Sequence, residues 1–143
     1  MALGGCAARP PEPIQVTTTS LDLRGPNGRA AVTIVDRAGV VVGASGAFVH
    51  PDVVGTDGLS LASSSAIAVR WAGSCSERTR ILVERTGVSG ISVRVDVENG
   101  AEGSTCTPRG FLRHLVVLET NRPFSPADLT FVDTRVPATP GLP

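Results

Sequence analysis

The sequence has few aromatic residues, no lysine and no excess of charge of either sign. Its aromatic side chains are four Phe and one Trp, with no Tyr, so aliphatic side chains must fill the core. The 13 basic residues are all arginine, and they balance the 13 acidic residues. Phosphate-backbone binding needs a basic excess or a basic patch, and the sequence offers neither. We therefore expect no nucleic-acid partner.

Glycine and proline are frequent, and the segments between them are rich in β-branched residues. The chain has 16 Gly and 11 Pro, which is typical of short strands joined by tight turns. At 143 residues it is long enough for one domain that buries about two thirds of its unfolded surface. We predict an N-terminal tether over residues 1–13, a β domain over 14–136 and a Pro-rich tail over 137–143.

The central stretch from Ile67 to Leu118 contains the only Trp and two of the three Cys. Apolar Ile67, Val69 and Trp71 alternate with smaller or charged residues, which predicts a strand with one buried face that leads to Cys75. The clearest alternation follows, with Ile91, Val93, Val95 and Val97 facing inward.

Other strands follow from shorter patterns. We predict a hairpin of 29–35 and 40–42 joined by a turn at 36–39, and a strand over 111–119 that is buried on both faces at its middle. The remaining predicted strands span 14–23, 78–85 and 129–133.

About seven to nine short strands without a helix predict an all-β fold, an antiparallel β-sandwich of immunoglobulin-like type. A standard immunoglobulin domain has its Trp after the first cysteine. Here Trp71 precedes Cys75, so we do not expect a standard immunoglobulin domain.

The cysteines predict an oxidising compartment. Cys75 and Cys106 flank two strands and are predicted to form a disulfide, which leaves Cys6 unpaired and with a different role. Closing a loop of about 31 residues would stabilise the fold by roughly 3 to 4 kcal/mol. The alternative is a pair of reduced, buried cysteines in a cytosolic protein.

The third cysteine lies in the segment Leu3-Gly4-Gly5-Cys6, which resembles the bacterial lipobox. That resemblance implies lipidation of Cys6, with residues 7–13 as an extended spacer. A charged start and an apolar run, which a signal peptide needs, do not precede it. The alternative is a disordered tail with a free thiol.

The segment Gly43–Ser65 is the least regular and is predicted to be a long loop with at most an edge strand. It contains His50, Asp52 and Asp57, the only place where an imidazole lies near carboxylates, so we take these three as a candidate binding loop. The alternative is a plain surface connection. We expect no metal site and no cofactor, because two scattered His and two loop carboxylates are too few ligands.

The sequence Trp71-x-Gly73-x-Cys75, followed by Cys106-x-x-x-Gly110-x-x-Arg113, resembles a recurring pattern. It is similar to the C-terminal half of small secreted or lipid-anchored β proteins of actinobacteria, over about residues 67–133. The resemblance implies an exported, envelope-associated protein and no catalytic residues.

We therefore expect a non-enzymatic binding or structural module of the cell envelope, anchored to the outer face of the membrane, whose partner is a protein or a glycan. One alternative is a small envelope hydrolase that uses His50 and Asp52. It lacks an evident nucleophile, because Gly43-Ala44-Ser45-Gly46 is not a complete Gly-x-Ser-x-Gly elbow. A second alternative is a protease inhibitor that presents the Cys106 loop.

Overall fold

The fold is described by a computed structural model that covers residues 13–25, 28–49, 58–73, 78–98 and 112–133. These residues form nine strands: β1 (Thr17–Gly25), β2 (Gly28–Asp36), β3 (Val41–Val49), β4 (Gly58–Ser63), β5 (Ala66–Gly73), β6 (Arg78–Thr86), β7 (Gly90–Glu98), β8 (Leu112–Thr120) and β9 (Leu129–Asp133). A short 3-10 helix, Pro126–Asp128, precedes the last strand. The residues on either side of the described ranges, 1–12 and 134–143, include most of the predicted tether and the whole tail.

The strands form two sheets. Sheet A has five strands in the order β1-β2-β6-β7-β9, and sheet B has four in the order β3-β8-β5-β4. The predicted all-β sandwich is confirmed. The pairs β2–β6 and β7–β9 are parallel, and the other pairs are antiparallel. This five-plus-four arrangement differs from the four-plus-three arrangement of a standard constant-type immunoglobulin domain.

The core lies between the sheets and consists mainly of aliphatic side chains that alternate along the strands. In β5, Ile67, Val69 and Trp71 are fully buried, as their alternation predicts. In β7 the same is true of Ile91, Val93 and Val95, whereas Val97 is only partly buried. The buried residues of both sheets belong to one hydrophobic cluster, so the sandwich has a single core.

The predicted hairpin of 29–35 with 40–42 is wrong. β2 belongs to sheet A and β3 to sheet B, so the chain crosses between the sheets at this point. The buried Asp36 carboxylate explains the crossing, because it accepts hydrogen bonds from the backbone N–H groups of all four residues from Ala38 to Val41, at 2.8 to 3.0 Å. These bonds replace the ladder bonds that a hairpin would have made.

The predicted long loop over Gly43–Ser65 is also wrong in large part. β3 occupies its beginning and β4 its end. β3 pairs with β8 from Val41 to Val49, with one register shift between Val41 and Gly43. Ala44 and Phe48 pack against the core. β4 lies at the edge of sheet B, as the expectation of an edge strand allowed. The described part of β8 differs from its prediction too, because Val116 and Leu118 are buried while Leu115 and Val117 on its other face are only partly covered.

The two ends of the sandwich differ. One end carries the Asp36 crossing, the start of β1 and the turns at 64–65 and 87–89; we call it the corner end. At the opposite end lie the strand termini that flank residues 26–27, 50–57, 74–77 and 99–111. The chain thus enters the domain at the corner end, and these four connections start and finish at the opposite end.

Candidate functional site

The outer face of sheet A carries arginine side chains on two neighbouring strands. Along β6, exposed Arg78 and Arg80 alternate with buried Thr79 and Ile81. The alternation follows from strand geometry, because successive side chains point to opposite faces of a sheet. Because Thr79 and Ile81 are buried, the two guanidinium groups are held on one outer surface.

The register of the sheet brings further polar residues beside them. Arg80 lies opposite Asp96 of β7 and opposite Thr33 of β2. Arg94 lies two residues before Asp96 on β7, opposite Leu82, and therefore on the same face. Because directly opposed residues of paired strands share a face, these side chains lie on one surface, which we call the arginine face: Thr33, Arg78, Arg80, Arg94 and Asp96.

The arginine face is concave. It forms an open depression of about 380 Å³. The residues that line it are Thr33, Arg78, Thr79, Arg80, Arg94 and Asp96. A depression of this size has room for a ligand considerably larger than a single small ion.

The charges on this face are only partly compensated. Arg94 Nε lies 3.1 Å from Asp96 Oδ1, and both side chains are substantially exposed, at 49% and 34%. Within the described ranges, neither the Arg78 nor the Arg80 guanidinium has a hydrogen-bond or ion-pair partner. Glu98 is the register partner of Arg78. Among the residues that line the depression, three arginines outnumber the one carboxylate, Asp96.

This arrangement suits the binding of an oxyanion. A guanidinium group is always charged, is planar and presents N–H donors that can bind a carboxylate or a phosphate in pairs. The Thr33 hydroxyl adds a group that can donate or accept. The residues of the arginine face include no nucleophile with an adjacent base, which nucleophilic catalysis would need.

The one imidazole within the described residues lies elsewhere. His114 is fully buried on the inner face of sheet B, in the same register row as Trp71 and Phe48. Its ring is stacked on the Trp71 indole, with 5.0 Å between centroids and 4° between planes. This position agrees with a structural imidazole and keeps His114 away from the arginine face.

The site residues predicted from the sequence all lie outside the described residues. They are Cys6, His50, Asp52, Asp57, Cys75 and Cys106. The connections that contain the last five start and finish at the end opposite the corner end. Their disulfide, lipidation and binding roles stay predictions.

The arginine face was not predicted from the sequence, although the sequence contains the hairpin pattern that brings three of its residues together. A five-residue loop over 86–90, which its two glycines favour, would fix the register of the hairpin around it, and the structure pairs Thr86 with Gly90 and Arg80 with Asp96. Counting outward from that loop would have placed Arg80, Arg94 and Asp96 on one face. Thr33 could not be found this way, because it depends on the non-local pairing of β2 with β6.

No family model, curated protein or solved structure matches this chain. Among the described residues, no helix is long and apolar enough to cross a membrane. In the same part of the chain, no three His, Cys, Asp or Glu side chains are grouped so that they could hold a metal ion.

Proposed function

We propose that this protein is a non-enzymatic binding module of the cell envelope, tethered through Cys6, and that its arginine face binds an anionic group of an envelope glycan. The observation that supports this most directly is the pair of exposed guanidinium groups, Arg78 and Arg80. They lie beside each other on β6 without a partner among the described residues.

The charge of the face favours an anionic ligand over a neutral one. Successive outward residues of a strand are about 6.8 Å apart, so Arg78 and Arg80 can bind one extended anion or two neighbouring anionic groups. A hydrogen bond between charged partners contributes about 1.5 to 3 kcal/mol when it forms. Two such contacts are enough for a specific weak interaction.

The chemistry of the surrounding surface favours a saccharide over a nucleic acid. Single-stranded nucleic acids are bound largely by stacking of bases on aromatic side chains. The described aromatic side chains all pack into or against the core instead: Phe48, Trp71, His114, Phe124 and Phe131. The outer face of sheet A offers hydroxyl groups, among them Ser20, Thr33 and Ser92 by register, which suit the hydroxyls of a sugar.

The direction of the chain agrees with tethering. Residues 13–16 lead into β1 at the corner end, whereas Arg78 is the first residue of β6 at the opposite end. A lipid on Cys6 would therefore hold the corner end nearer the membrane and leave the arginine face accessible to envelope polymers.

Binding can be tested with the full chain and polygalacturonate as a carboxylate-bearing probe, using isothermal titration calorimetry. Fully methyl-esterified polygalacturonate is the matched neutral probe, because it keeps the same backbone and loses the charge. We expect binding to the acid and not to the ester. Each of Arg78→Ala and Arg80→Ala should weaken binding about tenfold or more, since each removes a charged contact of about 1.5 to 3 kcal/mol.

Arg37→Ala is the matched control variant. Arg37 is also exposed, but it lies at the corner end, so its removal lowers the net charge equally without touching the arginine face. If all three variants weakened polygalacturonate binding equally, the binding would depend on net charge alone and not on the arginine face, which would contradict the proposal. Tight binding of the ester would contradict the role of the arginines.

Tethering and the lack of enzymatic activity need separate measurements. After expression of the gene with its upstream region, an intact mass with a lipid adduct beginning at Cys6 would support the anchor, and Cys6→Ala should release the protein from the envelope fraction. A soluble species that retains Met1 would contradict it. Covalent labelling of a serine by a fluorophosphonate probe would contradict the non-enzymatic function and favour the hydrolase.

A further inference from the structure

The exposed aliphatic side chains of the described chain are concentrated at one end of the sandwich. Five large hydrophobic residues of the described ranges are exposed, and four of them lie at the corner end. Those four, with their exposed fractions, are Ile14 (47%), Val16 (60%), Val42 (65%) and Val88 (100%). The fifth, Val132, is exposed by 39% on the outer face of sheet A. Single exposed aliphatic residues are ordinary, but their concentration at one end is not explained by the fold.

The segments that carry these four side chains all lie next to the Asp36 crossing or contact it. Ile14 Cγ2 lies 3.9 Å from the position that a Cβ on Gly39 would occupy. Val42 follows the Asp36 crossing directly at the start of β3. Val88 is in the β6–β7 turn, and Arg85 Nε, just before that turn, donates to the Ala38 carbonyl oxygen at 3.0 Å.

The positive and negative charges at the corner end are equal in number, so its exposed aliphatic side chains are the feature that distinguishes it. Arg37, Arg85 and Arg122 lie at this end, as do Glu84, Glu119 and Asp128. Asp36 is buried and its oxygens are taken by backbone N–H groups. Contact at this end should therefore depend on apolar side chains and not require anionic lipids.

The length of the N-terminal segment limits how far this end can be from an anchor at Cys6. Eight residue steps separate Cys6 from Ile14. A fully extended chain spans at most about 3.3 to 3.6 Å per residue, so the separation is at most about 29 Å. A lipid on Cys6 would thus confine the corner end to the immediate neighbourhood of the bilayer, where even a weak apolar contact is strengthened by the high effective concentration.

We propose that the corner end rests on the membrane surface, with Ile14, Val16, Val42 and Val88 in the headgroup region and the opposite end directed away from the bilayer. This orientation rests on the proposed tethering through Cys6. It makes the arginine face the part of the described chain that meets envelope partners.

The test uses the full chain with an N-terminal His tag, held on phosphatidylcholine vesicles by a nickel-chelating lipid. Because the tag imposes the tether, the result does not depend on whether Cys6 is lipidated in cells, which the intact mass tests separately. An environment-sensitive NBD group is introduced by an unnatural amino acid at Ser89, next to Val88. The control position is Ala47, which is also exposed but lies towards the opposite end of β3.

We expect NBD at Ser89 to show stronger fluorescence on vesicles and to be quenched at least twofold more by nitroxide-labelled lipids than NBD at Ala47. The double variant Val42→Ser and Val88→Ser should abolish the difference, with an unchanged thermal melt because both side chains are exposed. Equal quenching at the two positions, stronger quenching at Ala47, or a difference that survives in the double variant would overturn the proposed orientation.

Discussion

The indole ring of Trp71 and the imidazole ring of His114 lie parallel, with 4° between their planes and 5.0 Å between their centroids. Phe48 contacts the same imidazole, with 5.0 Å between the ring centroids of Phe48 and His114 and 53° between their planes. The three residues occupy one register row across β5, β8 and β3. The pairing of these strands therefore builds an aromatic cluster on the inner face of sheet B.

Truncating this cluster should destabilise the whole sandwich. Trp71 is the largest fully buried side chain, and Trp71→Ala removes its packing and leaves a cavity, which typically costs about 3 to 5 kcal/mol. The free energy of unfolding should fall by that amount in urea denaturation followed by circular dichroism. Val88→Ala, at a fully exposed position, should change it by less than about 0.5 kcal/mol. A loss below about 1 kcal/mol for Trp71→Ala would contradict this role.

The Asp36 carboxylate should be a second determinant of stability. Asp36→Ala would leave four backbone N–H groups without their present acceptor, and each unsatisfied buried group costs about 1 to 3 kcal/mol. We expect a loss of at least about 3 kcal/mol in chemical denaturation, and a smaller loss for Asp36→Asn, which keeps one acceptor oxygen. Asp96→Asn is the control, because an exposed ion pair contributes only about 0 to 1 kcal/mol. Equal effects of Asp36→Ala and Asp96→Asn would show that the crossing does not depend on this carboxylate.

Local alternation was enough to predict most of the strands and their buried faces. It was not enough to predict how the strands pair into sheets. Ile91, Val93 and Val95 could be assigned to the core because a period of two needs only neighbouring residues. The crossing at Asp36 has the same local pattern as a hairpin, namely two apolar runs joined by turn residues. What decides between them is the pairing of β3 with β8, a strand about seventy residues further along the chain.

The same distinction separates the predictable part of the site from the rest. Arg80 and Asp96 are brought together by a hairpin whose register the sequence fixes locally. The concavity at Arg78 also needs Thr33, which reaches the site only through a parallel pairing between strands distant in sequence. No local pattern carries that information.

The β6–β7 hairpin holds the arginine face in register, and Gly90 should be essential to it. A Cβ at Gly90 would lie 2.6 Å from the Thr86 carbonyl oxygen, and backbone at this distance cannot be accommodated without a shift. Gly90→Ala should lower the free energy of unfolding by about 1 to 3 kcal/mol and weaken polygalacturonate binding. Gly87→Asn is the control, because asparagine tolerates a positive φ such as the 63° at Gly87. A Gly90→Ala protein as stable as the Gly87→Asn protein would contradict the steric argument.

Removing the carboxylate of the arginine face should strengthen anion binding. Asp96→Asn takes away the group that lies 3.1 Å from Arg94 Nε, which leaves all three guanidinium groups available. We expect an affinity for polygalacturonate about two- to fivefold higher, in line with the modest energy of an exposed ion pair. The affinity of both proteins should fall as salt increases, because the screening length is about 10 Å at 0.1 M. An unchanged affinity would place the ligand elsewhere.

The predicted Cys75–Cys106 disulfide would join two connections that start and finish at the same end of the sandwich, since Gly73 and Leu112 are register partners. Intact mass after alkylation should show these two thiols protected until a reductant is added. Cys75→Ser with Cys106→Ser should then lower the free energy of unfolding by roughly 3 to 4 kcal/mol, because the unfolded chain regains the freedom of a loop of about 31 residues. Cys6→Ser should leave stability unchanged and serves as the control. Alkylation of both thiols without reductant would contradict the disulfide and, with it, the oxidising compartment on which the proposed envelope function depends.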